Sequence, residues 1–288
     1  MSSNSKENRV LVLGTAQDGG YPQVGCSRKC CVDAWENNYS RKVSSLAIIS
    51  DNDCWLIDIT PDFSSQLKMI ESEINGLPKI TGIFITHAHI GHYLGLLDLG
   101  LEIMNTHKIP VYVMPSMETF LKENGPFMQL VDLENIKLMP LKPDELVSLK
   151  NNLSITPFLV PHRNEFSETV GYKIYLGNKT LVYIPDIDSW GEWGSNIVDL
   201  VENNDVAILD GTFYDSNELK KRKIEDIPHP FIKDSLKKFS LLEVVDRKKV
   251  YFTHLNHTNP AIQNSSFERL EILSHGCNVA EDGMVFKF

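Results

Sequence analysis

The chain has 288 residues, 42% apolar and 23% charged, with a formal net charge of −10. That length and balance suit a globular α/β chain with a sizeable core and exclude a fibrous or largely disordered one. The negative balance, with no Lys/Arg cluster to offset it, disfavours a nucleic-acid partner, and no stretch approaches the roughly 18 apolar residues that span a bilayer.

The polar start, residues 1–8, lacks the apolar core of a secretory signal and reads as a disordered tail before a single domain over 9–288. A cytoplasmic location is expected, where thiols stay reduced, so clustered cysteines point to metal before disulfide. A strand over 9–13 runs into a turn-rich loop over 14–20. Strands over 46–49 and 55–59 pair through the Asp51-Asn52-Asp53 turn. The spacing of Phe63, Leu67, Ile70 and Ile74 predicts a helix over 62–74, with Gly76 beyond it. A short buried strand follows over 82–85, then an apolar-faced helix over 93–104. Further strands are predicted over 111–114, 154–160, 169–176, 180–184, 206–209, 250–252 and 284–288, and helices over 116–123, 193–202, 231–239 and 260–273. The basic run 220–223, followed by Glu225 and Asp226, reads as a solvated face. The hairpin-like pairs over 46–59 and 169–184 argue for two mixed sheets covered by helices rather than one doubly wound sheet.

The informative stretch is Thr-His-Ala-His-Ile-Gly-His at 86–92, which places three of the nine histidines directly after a buried strand. His87 and His89 are two apart and project to one side of extended chain. His92 falls where the next helix begins and can swing towards the same point. His162, Asp186 and His254 each follow a later strand, where loops converge while strands stay rigid. Imidazole and carboxylate are ligands for borderline metals such as zinc, so these six residues predict a metal centre.

At these residues the sequence resembles the metallo-β-lactamase-fold hydrolases, whose signature is His-x-His-x-Asp-His followed by a His, an Asp and a final His at later strand ends. Asp58 matches the family's early structural aspartate. The glycine-rich opening over 14–23 and the closing motif over 253–260 are similar to the branch of pyrroloquinoline quinone biosynthesis protein B and the phosphonate-pathway cyclic phosphodiesterase. The resemblance implies a four-layer αββα sandwich of two mixed β-sheets flanked by helices, with the metals along one edge. It also implies a structural zinc on Cys26, Cys30, Cys31 and His257, although Cys-x3-Cys-Cys replaces the branch's Cys-x-Cys-x2-Cys. Cys54 and Cys277 read as bland. The sequence departs from the signature at Gly91, where the family carries a carboxylate ligand. The expectation is one tightly held metal on His87, His89 and His162, with a weak second site on His92 and His254 that Asp186 can bridge. Asp210, after the 206–209 strand, is an alternative source of the missing carboxylate.

The chemistry implied is hydrolysis of a small phosphodiester or ester by a metal-bound hydroxide. Asp186 would orient that hydroxide, and Asp186, His254 and Arg163 are the residues expected to act in catalysis, with Arg163 clamping an anionic group. Trp190 and Trp193 either wall the pocket or pack as core. The catalytic cofactor expected is zinc, with manganese or ferrous iron as alternatives. The rival readings are an iron-dependent oxygenase and a degenerate metal-binding scaffold. A small-molecule substrate is expected, with no nucleic acid and no membrane; monomer and homodimer are both open.

Overall fold

The structure is a computed structural model that describes residues 8–219 and 228–288. The basic run 220–223, and all of the 1–8 tail except Asn8, lie outside the described residues. The first sheet draws on β1 (Arg9–Gly14), β2 (Ser45–Ser50), β3 (Asp53–Ile57), β4 (Lys79–Phe84), β5 (Ile109–Val113) and β6 (Ile136–Pro140). The second draws on β7 (Val147–Ser148), β8 (Leu153–Leu159), β9 (Val170–Leu176), β10 (Lys179–Ile184), β11 (Val206–Asp210), β12 (Val250–Thr253) and β13 (Asn278–Val279). The last strand, β14 (Val285–Lys287), returns to the first sheet beside β1. The strand orders are β14-β1-β2-β3-β4-β5-β6 and β13-β12-β11-β10-β9-β8-β7.

Both sheets are mixed, as the two hairpin signals require. β2 and β3 pair antiparallel, as do β9 and β10, whereas β3-β4-β5-β6 and β10-β11-β12-β13 are parallel. Alternation along each strand builds three apolar layers. Val10, Val12, Leu46, Ile48, Leu181 and Tyr183 point between the sheets. Leu11, Leu13, Ala47 and Ile49 point outward, under helices that include α2 (Phe63–Ile74), α4 (Pro115–Glu123) and α5 (Gly125–Asp132). Val182 and Ile184 face the other flank, with α1 (Lys29–Glu36), α6 (Ile197–Glu202), α7 (Ile232–Phe239) and α9 (Phe267–Ser274). The layers run helix, sheet, sheet, helix. Among the described residues no helix is long and apolar enough to cross a membrane.

Three helix readings need correction. The segment 93–104 is not one helix: α3 (Ile90–Tyr93) passes into a 3-10 stretch over Leu94–Leu99 and then turns. At Gly95 the amide donates to the Ile59 carbonyl at 3.0 Å instead of to the preceding turn, and the close approach needs glycine, because a Cβ there would lie 2.3 Å from the Thr60 carbonyl. The 193–202 reading shrinks to α6, which opens at the Asn196 cap, whose side chain accepts from the Val198 amide. The 260–273 reading splits into a short 3-10 turn at Pro260–Ile262 and α9, capped by Ser266. The helices α1, α5 and the short α8 (Val244–Arg247) and the strand β6 were not expected from the sequence.

The layers place the site by aligning strand ends. Because β10, β11 and β12 are parallel, and β8 is antiparallel to β9, which is itself antiparallel to β10, the C-terminal ends of β8, β10, β11 and β12 meet at one edge. The end of β4 joins them from the other sheet through Tyr172 on β9, whose fully buried hydroxyl donates to the Ile85 carbonyl at 2.6 Å. Removing that hydroxyl in Tyr172→Phe should cost about 1–2 kcal/mol. Urea unfolding checks this, and an unchanged midpoint and slope would mean the bond contributes nothing to holding the two sheets in register.

Candidate metal centre

The six residues expected to ligate a metal converge on that edge. His87, His89, His162 and Asp186 offer ligand atoms within 4.8 Å of one another, and so do Asp18, His92 and His254. Asp186 stands between the two groups. Its Oδ1 lies 3.3 Å from His162 Nε2, and its Oδ2 lies 3.4 Å from His87 Nε2, 3.4 Å from His254 Nε2 and 3.7 Å from His92 Nε2.

Each imidazole is held from behind, which fixes its inward atom. Asp58, fully buried, sits 2.7 Å from His92 Nδ1 and accepts from the Thr86 amide and hydroxyl. The Thr86 hydroxyl also lies 2.9 Å from His87 Nδ1, the Thr212 hydroxyl 2.9 Å from His254 Nδ1, and Asp188 2.6 Å from His162 Nδ1. His89 differs: its Nε2 faces Glu165 at 3.3 Å, leaving Nδ1 directed at His162, 3.2 Å away. Burial pushes the pKa values of His87 and His254 down, keeping them neutral as ligands must be. Burial also pushes His92 down, but the carboxylates of Asp58 and Asp18 outweigh it and drive its pKa well up.

The donor set fits a cation. His87 Nε2, His92 Nε2, His254 Nε2, Asp18 Oδ1 and Asp186 Oδ1 are buried with no hydrogen-bond partner. Five such atoms facing one another would be costly unless an ion completes them.

Two residues at this edge were missed by the sequence reading. Asp18 lies inside the glycine-rich opening, which reads as a motif without a ligand role, and is remote in sequence from the histidines. His229, buried, lies 2.8 Å from Asp210 Oδ2 and 3.4 Å from Asp186 Oδ1 through Nδ1. Burial lowers its pKa, but the carboxylates of Asp210, Asp186 and Asp188 together raise it, to about 9. Asp210 therefore groups with Asp186 and His229, and not with His92 and His254 where it was a candidate substitute.

Other expectations are redrawn. Gly91 does not leave the second group without a carboxylate, because Asp18 reaches it. Arg163 is exposed and pairs with Glu165 at 3.8 Å. Trp190 is core: its indole donates to Ser235 and its ring packs among the outer helices. Trp193 stacks on Phe158 and donates to the Leu159 carbonyl.

Cys26, Cys30, Cys31 and His257 also come together, with ligand atoms within 4.8 Å. Cys31 Sγ lies 3.3 Å from His257 Nδ1, and the Cys30 and Cys31 sulfurs are 4.0 Å apart. Tetrahedral Zn–S bonds of ~2.3 Å require sulfurs about 3.8 Å apart, so this spacing suits a closed site. The adjacent cysteines are no obstacle, since both lie in the first turn of α1. Burial pushes the Cys31 thiol up to about 12.

Residues 55–255 match the family model described as the Beta-lactamase superfamily domain, and the chain belongs to that superfamily. It is 28% identical to the coenzyme PQQ synthesis protein B of Gluconobacter oxydans, over 96% of this chain and 98% of that one. It is 24% identical to the protein of the same name from Xanthomonas axonopodis, with the same coverage. Among solved structures it resembles Zn(2+)-bound PqqB from Methylobacterium extorquens, with a TM-score of 0.80 and 22% identity over 97% of this chain and 100% of that one. It also resembles a diphosphatase of the PhnP family, with a TM-score of 0.68 and 23% identity over 98% and 97% of the two chains.

The outer carboxylate of Asp58 yields a direct test. Asp58→Asn keeps the shape but weakens the hold on His92, and should lower metal affinity about 10–100-fold. Competition against a chromophoric chelator measures this, and unchanged affinity would remove Asp58 from the account.

Proposed function

We propose that this chain is a metal-dependent hydrolase that cleaves a small phosphodiester or ester. The observation that carries the reading is the Asp186 carboxylate, buried among imidazoles of which His87, His92 and His254 each keep an unpartnered inward nitrogen. His87, His89 and His162 would hold the principal cation with Asp186. A bound divalent cation lowers the pKa of water and takes up negative charge that develops on a substrate oxygen. Asp186 would orient the attacking water. His229, kept protonated by Asp210, would hold a proton beside Asp186 for the leaving oxygen. A cleft of about 320 Å³, lined in part by Gln17, Asp18, Arg28, Phe213, Glu218 and Asn256, provides room for a small substrate. Arg28 lines this cleft and would be available to an anionic group there, whereas the Arg163 guanidinium is engaged by Glu165.

The end-to-end match to PQQ synthesis proteins favours one second reading, an iron-dependent oxygenase on the same three imidazoles. Iron with oxygen uptake would select it; zinc or manganese with ester cleavage selects hydrolysis. The number of ligand side chains still converging on the edge speaks against a degenerate scaffold.

Replacing His87 by Ala should reduce cleavage of bis-p-nitrophenyl phosphate at least about a thousandfold, since a metal contributes several kcal/mol to the transition state. Full activity in that variant would sink the assignment. The four-residue cysteine cluster is proposed as a structural zinc site, where binding energy is folding energy. Cys31→Ser should therefore lose one zinc equivalent and melt at a lower temperature; unchanged zinc and melting would return these residues to plain thiols.

A further inference from the structure

We infer that Asp18, delivered from the N-terminal loop, supplies the second metal site with the carboxylate that position 91 lacks. The geometry is one of replacement in space. Built on Gly91, a Cβ would lie 2.2 Å from Asp18 Oδ1, 3.0 Å from its Cγ and 2.7 Å from its Cα. The Asp18 carboxylate thus occupies the volume into which a side chain at 91 would project, and either residue excludes the other. Gly91 is not required by its backbone, which is helical and has no positive φ. What it provides is room.

The receiving atoms are ready. His92 and His254 are fully buried, and the Nε2 of each has no hydrogen-bond partner. Asp18 Oδ1 stands 3.4 Å from His92 Nε2, and Asp186 Oδ2 stands 3.4 Å from His254 Nε2. Ligands at ~2.0–2.2 Å from a tetrahedral ion lie about 3.3–3.6 Å apart, so these spacings match. Two imidazoles and two carboxylates make a full donor set.

The loop is pinned so that Asp18 arrives there. Ala16 bridges Val43 and Leu255, the Gln17 amide donates to the Leu255 carbonyl at 3.0 Å, and the Leu255 amide donates to the Thr15 carbonyl at 2.8 Å. Asn256 donates to the Gln17 side chain. Asp18 is thereby stitched to the segment that carries His254, so one hydrogen-bonded unit carries both side chains.

This inference rests on the metal-centre reading above, and the test separates the two. The probe is manganese alone, which thiolates bind poorly. It is titrated into metal-free full-length chain, with free Mn2+ read by electron paramagnetic resonance. The parent should bind two equivalents. Asp18→Ala and the shape-preserving Asp18→Asn should keep the first and weaken the second by roughly a hundredfold or more, since even outer partners of a ligand cost 10–100-fold. Gly91→Ala should do the same by evicting Asp18, and Asp18→Ala/Gly91→Ala should be no worse than Asp18→Ala, because both remove one interaction. Two tight equivalents in Asp18→Ala or in Gly91→Ala would overturn the inference. A parent that binds only one would overturn it too, while leaving the principal site standing. A parent that binds none would overturn the metal-centre reading itself.

Discussion

The arrangement turns on a single buried anion. Asp186 is 2% exposed and faces five imidazoles, from His87, His92, His162, His229 and His254, at 3.3–3.7 Å. A carboxylate taken out of water without compensation costs several kcal/mol. Imidazoles alone leave this edge incomplete, because those of His87, His92 and His254 keep their inward nitrogens without hydrogen bonds. Cations on either side of Asp186 resolve both deficits at once. The edge is therefore built to be completed by metal, and the surrounding fold is the means of bringing its donors together.

Around that anion lies an outer ring that sets direction. Asp58, Asp188, Thr86 and Thr212 each engage an outward imidazole nitrogen, so the inward one is presented without rotation. Thr86 and Asp188 follow β4 and β10, which also carry ligands, whereas Asp58 and Thr212 come from the neighbouring strands β3 and β11. The cysteine cluster extends the logic to the opening loop. His257 follows His254 by three residues, and Cys26, Cys30 and Cys31 follow Asp18 in the same connected segment. A cation on the cluster would clamp the far side of both segments, which Ala16 and Leu255 already join on the near side. Such local closure at the cysteines would support the placement of Asp18 and His254.

Much of this was legible in the residues. Period-2 alternation located most of the strands, and the 46–59 and 169–184 hairpin signals separated a pair of mixed sheets from a doubly wound one. The three clustered histidines and the strand-end His162, Asp186 and His254 do converge, because parallel strands bring their C-terminal ends to one edge. What could not be read depends on contacts remote in sequence. Asp18 precedes His92 by a long stretch of chain, and no local pattern says that its carboxylate fills the space above Gly91. The glycine was visible as a departure, but its partner is defined only by tertiary packing. His229 is similar: no motif in the sequence around it marks it, and only the fold sets it against Asp210. The 93–104 misreading has the same root, since Gly95 is tolerated in a helical pattern and becomes decisive only against the Thr60 carbonyl.

The central claim is that Asp186 is shared by two cation sites at the common edge of the sheets. Crystals of the full chain grown with manganese, measured on both sides of the manganese absorption edge, test it most directly. The account predicts two anomalous peaks flanking Asp186, one among His87, His89 and His162 and one among Asp18, His92 and His254. A single peak, or none, beside Asp186 would contradict it.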